Sequence, residues 1–173
     1  IHRPDVLTHP QEIARTIENA HKAGKIRAFG VSNFTQAQIS TLAQFSAVPI
    51  VSTQPELSPL RIDTVENGEL DQAIAMNLAV LAWSPLGGGR IGDPQNAREQ
   101  NVAAALSAVA TAHGVSRTAA AYSWIMAHPA RPIPIVGSQN PARIAEAADA
   151  FKIQWTRADW YSVLVAARGV PLP

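Results

Sequence analysis

The sequence predicts an α/β fold, part of a parallel eight-stranded (β/α)8 barrel, and three observations carry that expectation. Short apolar runs alternate with helical patterns along all 173 residues, the signature of parallel strands joined by right-handed crossovers. Four of those runs end on polar or cofactor-suited residues: Val31-Ser32-Asn33, Thr53-Gln54, Trp83-Ser84 and Gly137-Ser138. Polar groups repeated at the carboxyl ends of parallel strands build the shared site of a barrel. Finally, no GxGxxG follows the first strand and no Walker loop occurs anywhere. An open doubly wound sheet, the alternative, carries its phosphate loop early, whereas barrels hold phosphate with their last loops.

The elements follow in order. Thr8, with Gln11 three residues on, reads as a capping box. Ile13, Ile17, Ala20 and Ala23 keep helical spacing until Gly24. Residues 26–32 read as a buried strand. Thr35 can cap a helix carrying Ile39, Leu42 and Phe45, and Pro49 precedes a strand over 50–54. Pro55 and Pro59 make 55–63 a loop. A helix over 65–76 turns Leu70, Ala73 and Ile74 inward, followed by an apolar strand over 78–84. Gly87-Gly88-Gly89 marks 85–93 as a flexible loop. Alanine-rich helices span 100–113 and 117–128, a strand spans 133–136, and Pro141 opens a helix. Residues 156–168 form an amphipathic terminal helix with Trp160 and Leu164.

Ile1-His2 reads as the end of a strand that begins upstream, so a fragment is expected, without an internal domain boundary. A half-barrel exposes strand edges, and self-association through those open edges is expected.

Composition narrows the function. A net charge of +1 selects neither nucleic acid nor an anionic membrane surface. The absence of cysteine excludes disulfides and thiolate chemistry and permits a cytoplasmic location. The five histidines form no i, i+4 metal pair, and no apolar run reaches the ~18 residues that span a bilayer.

Each junction has a plain reading beside a functional one. Ser32 and Asn33 suit a helix N-cap, or a ligand group that offers one donor and one acceptor. Gln54 suits a satisfied barrel-interior position or the same kind of group. Trp83 suits core packing or stacking on a flat ring. Ser138, Arg143 and Glu146 suit a capped helix with a surface ion pair; alternatively, the helix start after Gly137-Ser138 and the Arg143 guanidinium suit an anion site.

The segments GKIRAFGVSNF, STQPELSPL, LAWSPLGGG and PIPIVGSQNPARIAEA resemble the aldo-keto reductase superfamily, nearest to the bacterial YdhF-type branch. IHRPD resembles its fourth-strand segment. The resemblance covers essentially the whole chain. It implies the carboxyl-terminal part of a TIM barrel, from the end of strand 4 through strand 8, and an oxidoreductase that reduces a small aldehyde or ketone with NADP(H) or NAD(H).

It further implies that Ser32, Asn33 and Gln54 bind the nicotinamide carboxamide, that Trp83 stacks on the ring, and that Ser84, Leu86 and Gly88 lie over the pyrophosphate. Ser138 and Arg143 are implied to meet the 2′-phosphate and Glu146 the adenine end. Gly137 and Ala147 stand where many members have lysine and asparagine. His2 is the one catalytic residue implied here. The family's tyrosine, lysine and aspartate belong to an upstream barrel portion that completes the site. Two other readings stay open: a nucleotide-sensing regulatory barrel without turnover, as in potassium-channel β-subunits, and a phosphate-binding aldolase or lyase.

Overall fold

The computed structural model describes residues 1–172. Its elements are α1 (Pro10–Lys22), β1 (Phe29–Ser32), α2 (Gln36–Phe45), β2 (Ile50–Gln54), α3 (Asp63–Glu66), α4 (Glu69–Ala75), β3 (Ala79–Ala82), α5 (Ala97–His113), α6 (Arg117–Met126), β4 (Ile133–Pro134), α7 (Pro141–Ala147), a 3-10 turn (Ala148–Lys152) and α8 (Arg157–Arg168). The strands pair in chain order, β1-β2-β3-β4, and every pair is parallel. A doubly wound sheet reverses its strand order at a switch point. The order here never reverses, so the strands form a singly wound arc.

Ile1 extends the arc. Its amino group donates to Gly30 O at 2.7 Å, and Ser32 N–H donates to Ile1 O at 2.8 Å. Those two bonds are the pattern of a parallel bridge beside β1. Val31, Val80 and Ala82 join Ile39, Leu42, Leu106 and Trp124 in one buried core. Successive strand residues point to opposite faces, and apolar strand residues are also left open: Val51 is 41% exposed and Ile133 55%.

Local chemistry explains where elements differ from expectation. Thr8 does not cap α1. Its hydroxyl donates to Asp5 Oδ2 at 2.8 Å, while His9 Nδ1 accepts from Gln11 N–H one residue later. Asp5 also accepts from Leu7 N–H, and these bonds hold its carboxyl below the usual carboxylate range. Thr35 does cap α2, in a full capping box with Gln38. The helix expected over 65–76 is broken in two at Gly68, whose φ of 85° no helix accommodates. Ile74, expected inward, is 50% exposed. Gly30 sits against β2: a methyl group there would overlap the Ser52 hydroxyl and lie 2.8 Å from the Ser52 carbonyl oxygen.

The outer helices are clamped by tryptophans. Trp124 of α6 and Trp160 of α8 stack with ring centroids 4.8 Å apart and planes 9° from parallel. Each indole N–H donates to the other residue's backbone carbonyl at 3.0 Å. Trp155 adds an indole N–H bond to Ser123 Oγ at 2.9 Å. Arg98 of α5 ties the far end, donating to Ala167 O at 2.6 Å and to Leu60 O at 2.9 Å, so a guanidinium satisfies a C-terminal helix carbonyl. Among the described residues no helix is long and apolar enough to cross a membrane.

His128, just beyond α6, gives this packing a pH dependence. Its Nδ1 accepts from Ala130 N–H at 3.1 Å, which requires an unprotonated nitrogen. Burial lowers its pKa from 6.5, opposed by the charge of Asp71. The unfolded chain therefore binds the proton more readily, and stability rises with pH between the two values. The contribution of His128 is complete above 6.5 and is lost as pH falls through the lower folded value. Urea midpoints measured between about pH 7.5 and 5 are expected to fall more steeply for the unaltered protein than for His128→Asn. Parallel profiles would exclude this residue as the source.

Candidate functional site

Parallel register brings the strand tips to one end of the sheet. Ser32 pairs with Gln54. Beyond the regular strands, Trp83 bridges Glu56, with Trp83 N–H on Pro55 O at 3.1 Å and Leu57 N–H on Trp83 O at 3.3 Å. Thus the ends of β1, β2 and β3 stand side by side.

Their side chains join in one hydrogen-bond network. Ser32 Oγ donates to Gln54 O at 2.7 Å. Asn33 leaves the strand with φ 59°, a left-handed conformation that asparagine tolerates, and its N–H donates to Gln54 O at 3.2 Å. Asn33 Nδ2 donates to His2 O at 3.2 Å and to Ser32 Oγ at 3.1 Å. Asn33 Oδ1 accepts from Trp83 Nε1–H at 2.9 Å. His2, Ser32, Asn33, Gln54 and Trp83 are therefore brought together, across residues far apart in the chain. Ser32 and Asn33 do not cap α2, because Thr35 does.

What remains free is as informative as what is bonded. Gln54 joins the network through its backbone carbonyl, and its half-buried side-chain amide makes no hydrogen bond among the described residues. Trp83 is half-buried. His2 is exposed, and its ring has no hydrogen-bond partner among the described residues. A cleft of about 230 Å³ borders Asn33 and Trp83, with Glu56, Arg61 and Asp63 on its wall. Arg61 pairs with Asp63 at 3.0 Å there. The sequence reading assigned this wall to a plain proline-bounded loop and did not single out these charges.

The loop after β3, expected to be flexible, is wound by tight turns. Gly87 N–H donates to Ser84 O at 2.8 Å, and Leu86 O accepts from Gly89 N–H at 3.1 Å and Ile91 N–H at 3.3 Å. Ser84 takes φ 52°, and half-buried Leu86 packs on the core. Gly88 is exposed with φ 66°, and no atom lies within 4 Å of where its Cβ would be. Arg90 anchors the loop by donating to Gly87 O at 2.9 Å and pairing with Glu99 at 3.2 Å. Glu99 is 3% exposed and also accepts from Gln95 N–H at 2.7 Å. Sequence reasoning missed Glu99 by starting the helix at Gln100. The available signal was Asn96, which caps Glu99 N–H at 3.0 Å three residues on.

The remaining candidates lie beyond β4. Ser138 Oγ accepts from Asn140 N–H at 3.1 Å, and Asn140 Oδ1 accepts from Ala142 N–H at 2.9 Å, capping α7. Arg143 is exposed and makes no ion pair among the described residues, so the surface ion pair of the plain reading is not formed there. Glu146 is half-buried, and its charge reaches Tyr122 of α6. Burial first, and that charge second, push the Tyr122 phenol above 10.0. Tyr122 lies buried inside α6, 4% exposed, so it does not stand in for a strand-end proton donor. Ser138, Arg143 and Glu146 share the carboxyl end of the arc but have no hydrogen bond to the Asn33–Trp83 network among the described residues.

The sequence profile of the Aldo/keto reductase family matches residues 1–164. The chain belongs to that family. This aldo/keto reductase chain is 62% identical, over all 173 residues, to the 6-dehydroglucose reductase of Novosphingobium aromaticivorans, of which it covers 57%. It is 35% identical to the oxidoreductase YdhF of Escherichia coli, covering 58% of that protein. It superposes over its full length on glycerol dehydrogenase from Gluconobacter oxydans with a TM-score of 0.86 and 27% identity, covering 59% of that chain. The chain thus spans less than two-thirds of the length of these relatives, and its parallel arc is part of the aldo/keto reductase barrel.

Proposed function

We propose that this chain forms the cofactor-binding, carboxyl-terminal portion of an NAD(P)H-dependent reductase of aldehydes or ketones, running from the end of the fourth barrel strand through the eighth. The observation that carries the reading is the strand-tip network. It fixes Asn33 and Trp83 while leaving the Gln54 amide free beside them. Those groups fit a nicotinamide carboxamide and ring. Gly88 backbone and the unpaired Arg143, with Ser138, fit the phosphates, and Glu146 the adenine end. The bound nicotinamide supplies hydride to the carbonyl carbon.

His2, exposed at the first residues of the arc, orients the carbonyl oxygen. The proton donor is a tyrosine, supported by lysine and aspartate, from polypeptide ahead of Ile1. Two relatives named 6-dehydroglucose reductase, at 62% and 36% identity, favour a sugar aldehyde as substrate.

The test uses NADPH and 6-dehydroglucose with the purified chain, and again with the protein carrying the residues ahead of Ile1. The chain alone is expected not to consume NADPH, and the longer protein is expected to do so. Turnover by the chain alone would overturn the placement of the proton donor. Failure of the longer protein to bind NADPH would overturn the cofactor reading, and sedimentation of the isolated chain would show whether its open edges associate.

A further inference from the structure

We propose that the indole N–H of Trp83 is a positioning group that turns the Asn33 amide so that Asn33 meets a bound nicotinamide only as a hydrogen-bond acceptor. This rests on the cofactor reading above and adds a role for Trp83 distinct from ring stacking.

The geometry pins both ends of the amide. An indole N–H is a donor only, so the Asn33 atom 2.9 Å from Trp83 Nε1 is Oδ1. A backbone carbonyl is an acceptor only, so the atom 3.2 Å from His2 O is Nδ2. A flipped amide would set two donors against each other at Trp83 and two acceptors at His2. The second Nδ2 proton is taken by Ser32 Oγ at 3.1 Å, and that hydroxyl spends its own proton on Gln54 O at 2.7 Å.

Asn33 therefore has no donor left, and Oδ1 keeps one lone pair. Ser32 likewise keeps only acceptor capacity. Among the described residues, Gln54 is the one amide of the cluster with its donors free. The division of labour follows: Asn33 Oδ1 accepts from the ligand's NH2 group, and Gln54 donates to its carbonyl oxygen. Phenylalanine at position 83 keeps an aromatic face and removes only the N–H, which frees the Asn33 amide to rotate.

The experiment compares calorimetric binding of NADP⁺ and of its 3-acetylpyridine analogue, in which a methyl group replaces the carboxamide NH2. Trp83→Phe is expected to weaken NADP⁺ by about 3- to 10-fold, the range of one neutral hydrogen bond, and the analogue by less than twofold. Equal weakening of both ligands would mean that Trp83 acts through stacking alone, overturning the inference while leaving the cofactor reading intact. Absence of NADP⁺ binding by the unaltered protein would overturn both. Should Trp83→Phe fail to fold, hydrogen exchange in the unaltered protein decides. A Trp83 indole proton exchanging at the free-solvent rate with NADP⁺ bound overturns the inference, and a protected one supports it.

Discussion

Trp124→Ala is expected to destabilise the protein by about 3–5 kcal/mol, the cost of truncating a large buried aromatic. Trp124 is 1% exposed, stacks on Trp160, and donates its indole proton to the Trp160 carbonyl. Alanine removes the stack, opens a cavity between α6 and α8, and removes the indole hydrogen bond to that carbonyl. Small domains hold a margin of only about 5–15 kcal/mol, so the variant loses a large fraction of it. Trp160→Ala is expected to cost less, because Trp160 is only half-buried. Trp124→Phe separates packing from bonding. It retains a ring for the stack and is expected to cost about 0.5–1.5 kcal/mol for the lost indole hydrogen bond, since the Trp160 carbonyl, inside α8, keeps its helical bond. Urea titrations with unchanged slopes would measure all three. A Trp160→Ala cost above that of Trp124→Ala would reverse this account of the clamp.

Arg143→Ala is expected to weaken NADPH binding by about 10- to 100-fold and to leave NADH within about twofold. A hydrogen bond to a charged group contributes about 1.5–3 kcal/mol, and 1.4 kcal/mol is a factor of ten. Arg143 is exposed and makes no ion pair among the described residues, so its guanidinium is available for a phosphate. Arg143→Lys is not expected to restore full affinity, since an ammonium cannot make the planar two-point contact. Calorimetry with both cofactors decides. An equal loss for NADPH and NADH would remove Arg143 from the 2′-phosphate and make its effect general.

The alternation of strands and helices was legible because each strand is a short apolar run bounded by turn residues. The limits of β2, Ile50–Gln54, match expectation. The limits of β1 do not, since Ile26, Arg27 and Ala28 precede the first pair, Phe29 with Ile50. Pairing, and not residue preference, sets where that strand starts. Gly68 was readable as a breaker but stood inside a strong helical pattern. That Ser32, Gln54 and Trp83 stand together at the strand tips was legible from polar residues at the ends of apolar runs. Their wiring was not. The contact between Asn33 and Trp83 joins residues 50 apart, and no local pattern encodes which atom of an amide faces an indole. Glu99 was hidden for a related reason, since its burial depends on Arg90 folding back from a loop.

The closeness of β1 and β2 at Gly30 and Ser52 limits how the site can be redesigned. Any side chain at Gly30 would have to push the two strands apart. On the proposed cofactor reading, Ser32 and Gln54, two residues further along the same two strands, cannot be respaced for a bulkier or smaller ring without loosening that joint. On that same reading, changes in ligand choice are better written at Gly137, where an added Cβ meets no atom within 4 Å, than at Gly88, whose φ of 66° strains any side chain.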